Sequence, residues 1–144
     1  MPEVHRAATP REAVEKVQVD LREFQAKNKL DQVVVANVAS TEPPCPLDDR
    51  HTSIAKFRAA VDKKDPIPAS ALYGWAALDL GFPYVNFTPS LGSSFPAALE
   101  LAQRRGETGI LKHLACFFKS PMGCDEHDFF KQMTLLVKHV ADLQ

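Results

Sequence analysis

The run Val33-Val34-Val35-Ala36-Asn37-Val38-Ala39-Ser40-Thr41-Glu42 restricts this chain more than any other stretch. It is apolar and β-branched, too short for a buried helix, and it stops abruptly in small polar residues followed by Pro43 and Pro44. Such a segment reads as a strand covered on both faces, as in a parallel sheet flanked by helices. In open α/β sheets, ligands sit at the carboxyl ends of the strands. Ala39, Ser40, Thr41 and Glu42 therefore stand where a ligand would be held.

The flanking segments fit that sheet. Thr9, with Pro10 in the first turn and Glu12 three residues after the cap, predicts a helix start of capping-box type. Val14, Val17, Leu21 and Phe24 then recur at helical spacing as an inward stripe, ending near Asn28. After the proline-rich segment Pro43 to Pro46, Thr52 or Ser53 can cap a short helix carrying Ile54, Phe57 and Val61. A helix from about Pro68 is expected to bury Leu72, Tyr73, Ala76 and Leu80, with Gly81 as its left-handed terminator. Tyr84-Val85-Asn86-Phe87-Thr88 is the second strand, again ending in turn residues, and strand–helix–strand order implies parallel pairing through a right-handed crossover. Pro96 to Arg105 is a further helix. Ile110, Leu111, Leu114, Ala115, Phe117 and Phe118 then show helical spacing where a third strand would be due, and a last helix from about Asp125 carries Phe129, Phe130, Met133, Leu136, Val137 and Val140. The fold class is α/β: a reduced Rossmann-like three-layer unit with a small parallel sheet and flanking helices.

Bulk properties exclude several roles. A net charge of −1 gives no general attraction to nucleic acid or to an anionic membrane, and no stretch approaches a membrane span. The 3 cysteines, Cys45, Cys116 and Cys124, are an odd count at unpatterned spacing, and no apolar leader precedes them, so a reduced, cytoplasmic setting is expected.

The polar strand exits can hydrogen-bond a ribose, an amide or a phosphate, and Ser and Thr there serve equally as plain turn and cap formers. Leu91-Gly92-Ser93-Ser94 is the one Gly/Ser-rich candidate for an anion loop, although a simple Ser cap on the next helix explains it as well. Cys124 and His127 have C-x-x-H spacing, but no second ligand pair matches, so no metal is expected. Lys119 follows Phe117 and Phe118 and precedes Ser120-Pro121. Its ammonium could bind phosphate or stabilise an oxyanion, or cap its own helix.

Four ordered stretches together carry a resemblance. Asn37-Val38-Ala39-Ser40-Thr41-Glu42-Pro43, Ala69-Ser70-Ala71-Leu72-Tyr73, Tyr84-Val85-Asn86-Phe87-Thr88-Pro89-Ser90 and His113-Leu114-Ala115-Cys116-Phe117-Phe118-Lys119-Ser120-Pro121 resemble the bacterial branch of myo-inositol-phosphate synthase, also called inositol-3-phosphate synthase. The resemblance implies an NAD-dependent, redox-neutral isomerase of inositol and phospholipid biosynthesis. It oxidises glucose 6-phosphate, enolises the keto intermediate, closes the ring by an internal aldol step and reduces the product with the same cofactor. It marks Ala39, Ser40 and Thr41 as cofactor-contacting, Asn86, Thr88 and Ser90 as lining the same cleft, and Lys119 as an active-site lysine.

The departures shape the expectation. Nothing upstream of Val33 supplies the family's glycine-rich dinucleotide loop. Between Leu101 and Gly109 the chain passes directly to the C-terminal match, where the family carries a long segment with the large mixed sheet and further catalytic lysines. The chain is thus expected to be an N-terminally truncated, internally deleted relative. Residues 1–106 form a partial nucleotide-binding region and 107–144 a helical segment packing on the same unit. Alone, it is expected to be inactive on glucose 6-phosphate. The alternatives are a non-enzymatic fragment that associates with itself or with a full-length synthase, and a free-standing nucleotide- or phosphate-binding module.

Overall fold

Thr9 starts the first helix as its chemistry dictates: its hydroxyl accepts the Glu12 N–H at 3.1 Å. The expected reciprocal bond is displaced by one residue, since the Glu12 carboxylate takes the N–H of Ala8 rather than that of Thr9. The computed structural model describes residues 7–105. Over that range the chain runs through α1 (Pro10–Asn28), β1 (Val35–Asn37), a 3₁₀ turn (Asp49–His51), α2 (Ile54–Asp62), α3 (Ala69–Asp79), β2 (Tyr84–Asn86) and α4 (Pro96–Arg104). The expectations for Gly106 onward, including the helical segment 107–144, lie outside the described residues.

The two strands pair in parallel, Val35 opposite Tyr84, Ala36 opposite Val85 and Asn37 opposite Asn86. They are joined through α2 and α3, as the strand–helix–strand order required. The strands are shorter than the apolar runs that contain them.

α3 organises the core. Its Ala71, Trp75, Ala76, Ala77 and Leu78 are all buried, so it is apolar around most of its circumference, the pattern of an interior helix. It packs against both strands, α1 and α4, while α2 closes against α1, α4 and the 3₁₀ turn. Phe57 of α2 stacks at tilted geometry on Trp75 and on Phe95, with ring centroids 4.6 and 4.7 Å apart. His51 completes this aromatic group, edge-on to Phe95, and its Nδ1 accepts the Asp48 N–H at 3.2 Å. The histidine thus completes a capping box with Asp48, the N-cap of the 3₁₀ turn, whose carboxylate accepts the Arg50 N–H at 3.0 Å. Beside it, the Arg50 guanidinium holds the Asp48 carboxyl down at about 2.

Three expectations need correction. Among the described residues β1 is covered on one face: Val33 is buried and Val35 half-buried against the core, but Val34 and Val38, which flank the strand, are 59% and 77% exposed, because α3 packs on one side of it. Tyr73, expected inside, is exposed, since the face of α3 that carries it turns away from both sheet and neighbouring helices. Phe24 is also exposed, because α1 meets α3 through Val14, Val17 and Leu21 and its last turns overhang the core. Gly81 does end α3 in the left-handed region, with φ of 79°.

Candidate functional site

Both strands end in asparagine at the same level, and these side chains begin a hydrogen-bonded web. Asn37 Nδ2 donates to Asn86 Oδ1 at 3.0 Å. The same oxygen accepts the Thr88 hydroxyl at 2.8 Å and the Thr88 N–H at 3.2 Å, while Asn86 Nδ2 donates to the Ser90 carbonyl at 2.8 Å. The Thr88 hydroxyl in turn accepts the Ser90 N–H at 3.2 Å. Asn86, Thr88 and Ser90 are buried, and burial without partners would be costly, so each polar atom is turned inward to another. These three residues frame a wall.

The web continues into two other segments. The Ser90 hydroxyl accepts the Glu42 N–H at 3.0 Å. The Glu42 carboxylate receives the Ser70 N–H at 3.0 Å and, through its other oxygen, the Ser70 hydroxyl hydrogen. Ser70 Oγ accepts the Gly92 N–H at 3.1 Å, and the Ser70 carbonyl accepts the Tyr84 hydroxyl at 3.2 Å. Burial pushes the Tyr84 phenol pKa well above its ordinary value, so it stays a donor. Gly92 has φ of 50°, and a Cβ there would lie 2.5 Å from Asn86 Nδ2, so only glycine lets the loop close over the asparagine. The Ser cap expected from this loop does not form: Phe95 is the N-cap of α4 and makes no side-chain cap bond.

At the rim the chemistry reverses. Ala39, Ser40 and Thr41 are exposed. The Ala39 N–H is held by Asn37 Oδ1 at 3.1 Å. Ser40 and Thr41 have no hydrogen-bond partner within the protein among the described residues. Behind this ledge lies a cleft of about 440 Å³, lined by Thr41, Pro44, Leu47, Thr88, Leu91 and Ser94 among others. Of the residues the resemblance marks, Thr41, Asn86, Thr88 and Ser90 line it, whereas Ala39 and Ser40 lie on the exposed approach. Its charged lining residue is Glu42, and Cys45, a free thiol, stands at its side. Lys119, Cys124 and His127 lie outside the described residues. Among the described residues no cluster of His, Cys, Asp and Glu is placed to hold a metal.

The candidate site chosen on sequence omits Ser70 and Gly92. Ser70 sits inside one of the four family-like stretches, but the fold was needed to reveal its bond to Glu42 across 28 positions. Gly92 belongs to the Gly/Ser-rich loop, and its close approach to Asn86 has no counterpart in sequence spacing.

A parallel sheet with a largely apolar cleft and a few polar groups at its strand exits is the arrangement expected of a nucleotide site. The profile of the NAD-binding region described as myo-inositol-1-phosphate synthase matches residues 2–109. The chain belongs to this family. It is 33% identical over 132 residues to inositol-3-phosphate synthase 1 of Bacteroides thetaiotaomicron, a match covering 83% of the chain and 31% of that enzyme. The rice inositol-3-phosphate synthase 1 is 34% identical over 99 residues, covering 67% of the chain and 19% of the enzyme. The crystal structure of inositol-3-phosphate synthase from Caenorhabditis elegans superposes with a TM-score of 0.68 at 21% identity, over 73% of this chain and 21% of that one. The fold is therefore that of the family's Rossmann-like cofactor domain, and NAD is the cofactor of the matched region. This family member spans less than a third of the length of the curated relatives it matches.

Proposed function

We propose that this chain is the NAD-facing portion of an inositol-3-phosphate synthase, receiving the dinucleotide on the Ala39–Thr41 ledge and in the cleft behind it. The observation that carries this reading is the juxtaposition, at one end of the parallel sheet, of an unbonded polar ledge with a cleft wall whose own polar atoms are satisfied. The donor set fits the cofactor. Ser40 and Thr41 offer backbone and hydroxyl groups suited to ribose, amide and phosphate oxygens, while Pro44, Leu47 and Leu91 offer apolar surface to a base. When bound, NAD supplies a hydride acceptor and, once reduced, a donor.

In this reading Ser40 and Thr41 bind and orient, Asn86, Thr88 and Ser90 keep the wall in shape, and Lys119 is the active-site cation. The substrate class is that of the full-length relatives, glucose 6-phosphate. The described cleft lining carries a carboxylate and no lysine or arginine, yet an enolate and a phosphate both call for cations. In this reading the chain by itself binds cofactor in the cytoplasm without turning over glucose 6-phosphate, because the long family segment with further catalytic lysines has no counterpart between Leu101 and Gly109. Calorimetric titration with NAD, followed by an inositol phosphate assay, tests both halves. Saturable binding with no product is expected; no binding removes the cofactor reading, and product formation removes the claim of incompetence.

A second reading rests on a separate observation. Val34 and Val38, which flank β1, are exposed, and β1 is paired on a single edge among the described residues. An open strand edge beside apolar side chains favours association with another copy or with a full-length synthase. Sedimentation over a concentration series decides it: self-association supports this reading, and a monomer throughout, with no binding to a full-length synthase, excludes it.

A further inference from the structure

We propose that Glu42 is a positioning residue that fixes the cofactor-contacting ledge by clasping it to the start of α3 and to the β2–α4 loop. This rests on the NAD reading above. Three segments meet at this one residue. Its N–H is bound by Ser90 Oγ at 3.0 Å, and its carboxylate takes both the N–H and the hydroxyl hydrogen of Ser70, whose oxygen holds the Gly92 N–H at 3.1 Å.

The need for a distant carboxylate is visible in α3 itself. Pro68 occupies the N-cap and makes no side-chain cap bond, and its carbonyl takes the N–H groups of Ala71 and Leu72, so the Ser70 N–H must find its acceptor elsewhere. Glu42 provides one from 28 residues away, and its charge is favoured at the positive end of the helix. Capping alone would be a matter of stability. The position of Glu42 in the chain makes it more than that.

Among the described residues Ser40 and Thr41 form no internal hydrogen bonds, so the ledge is defined by its two anchors, Asn37 upstream through the Ala39 N–H and Glu42 downstream. With the downstream anchor weakened, residues 40–44 sample many conformations. The apparent dissociation constant then rises by the inverse of the fraction still in the binding conformation. A ledge correctly placed about a tenth of the time binds about tenfold more weakly.

The test uses the full 144-residue chain and four proteins: wild type, Glu42→Gln, Ser70→Ala and Ser53→Ala. Gln keeps an acceptor for the Ser70 N–H but removes the charge, and its amide nitrogen can only donate, so the Ser70 hydroxyl no longer donates to residue 42. Ser70→Ala leaves the backbone bond intact and keeps the test available should Glu42→Gln not fold. Ser53 caps α2 by accepting the Lys56 N–H and serves as a control for lost stability. NAD affinity is measured by calorimetry well below each melting transition, with circular dichroism confirming the fold. Glu42→Gln and Ser70→Ala are expected to bind about tenfold more weakly, whereas Ser53→Ala melts earlier but keeps wild-type affinity. Affinity within about twofold of wild type in the folded clasp variants overturns the positioning role and leaves the NAD reading standing. A wild-type chain that does not bind NAD overturns that reading and the positioning role with it.

Discussion

Asn86→Asp changes a single atom at the centre of the web, and the structure dictates a pH-dependent result. Asn86 is 5% exposed, and both of its polar atoms are committed. Aspartate preserves the Oδ1 acceptor used by Asn37 and Thr88. It places an oxygen where Nδ2 donates to the Ser90 carbonyl at 2.8 Å. Ionised, that oxygen faces another acceptor in a site with little water; protonated, it donates as the amide did. The carboxyl pKa in the folded state is therefore raised, and fully buried carboxyls rise by up to about 3 to 5 units. With an unfolded value of about 3.9, the variant keeps its full stability below that pH. It then loses about 1.4 kcal/mol per pH unit until the folded pKa is passed. A folded pKa near 7 gives a loss of about 1.5 kcal/mol at pH 5 and about 4 kcal/mol by pH 8.

Trp75 makes this measurable. It is the chain's one tryptophan, 3% exposed and stacked on Phe57, so its emission reports the core. Urea unfolding of wild type and variant at pH 5 and pH 8 is expected to show a midpoint gap that widens with pH by about 1 to 2 M, for a slope of about 1.5 to 2 kcal/mol/M. An equal gap at both pH values would refute the reasoning, because it would mean that residue 86 is solvated or that its Nδ2 bond to Ser90 is not made.

Other outcomes follow from the same geometry. Gly92→Ala imposes a Cβ on a left-handed residue and against Asn86, and should cost about 2 to 4 kcal/mol in thermal unfolding, strain and overpacking together; an unchanged melting temperature would show that the loop does not close on the asparagine. Phe57→Ala should cost about 3 to 5 kcal/mol, because the ring is fully buried between Trp75 and Phe95, whereas Phe24→Ser should stay within about 0.5 kcal/mol. Equal losses in the two would contradict the placement of the core. On the alkaline side, the raised Tyr84 pKa means that the folded state holds a proton the unfolded state gives up above pH 10. Stability then falls by about 1.4 kcal/mol per pH unit from there, and Tyr84→Phe abolishes that slope.

Sequence and structure agree most closely where local chemistry is enough. Thr9 and Ser53 cap their helices, Gly81 ends α3, and Ile54, Phe57 and Val61 face inward, because capping bonds and a helical stripe are decided within a few residues. Parallel pairing was legible from element order. What required the fold was anything set by which neighbours exist. Val34 and Val38 look like core because they are β-branched and apolar, but burial is decided by what packs on them, and α3 covers one face. Tyr73 and Phe24 are the same lesson on helices. In the site, Ser40 and Thr41 were legible as a polar exit. The inward turn of Asn86, Thr88 and Ser90 was not, since composition cannot tell an asparagine that meets a ligand from one that holds the wall beside it. The carboxylate of Glu42 capping α3 is a contact across 28 positions, out of reach of any motif.

Whether the exits of β1 and β2 receive NAD is decided by mapping amide chemical shifts of the isotopically labelled chain during an NAD titration. Saturable shifts concentrated at residues 39–42 and 88–94 are expected, with the outer face of α1 around Val19 and Phe24 unmoved. Saturable shifts confined to another face of the molecule, or none at millimolar NAD, would contradict NAD binding there.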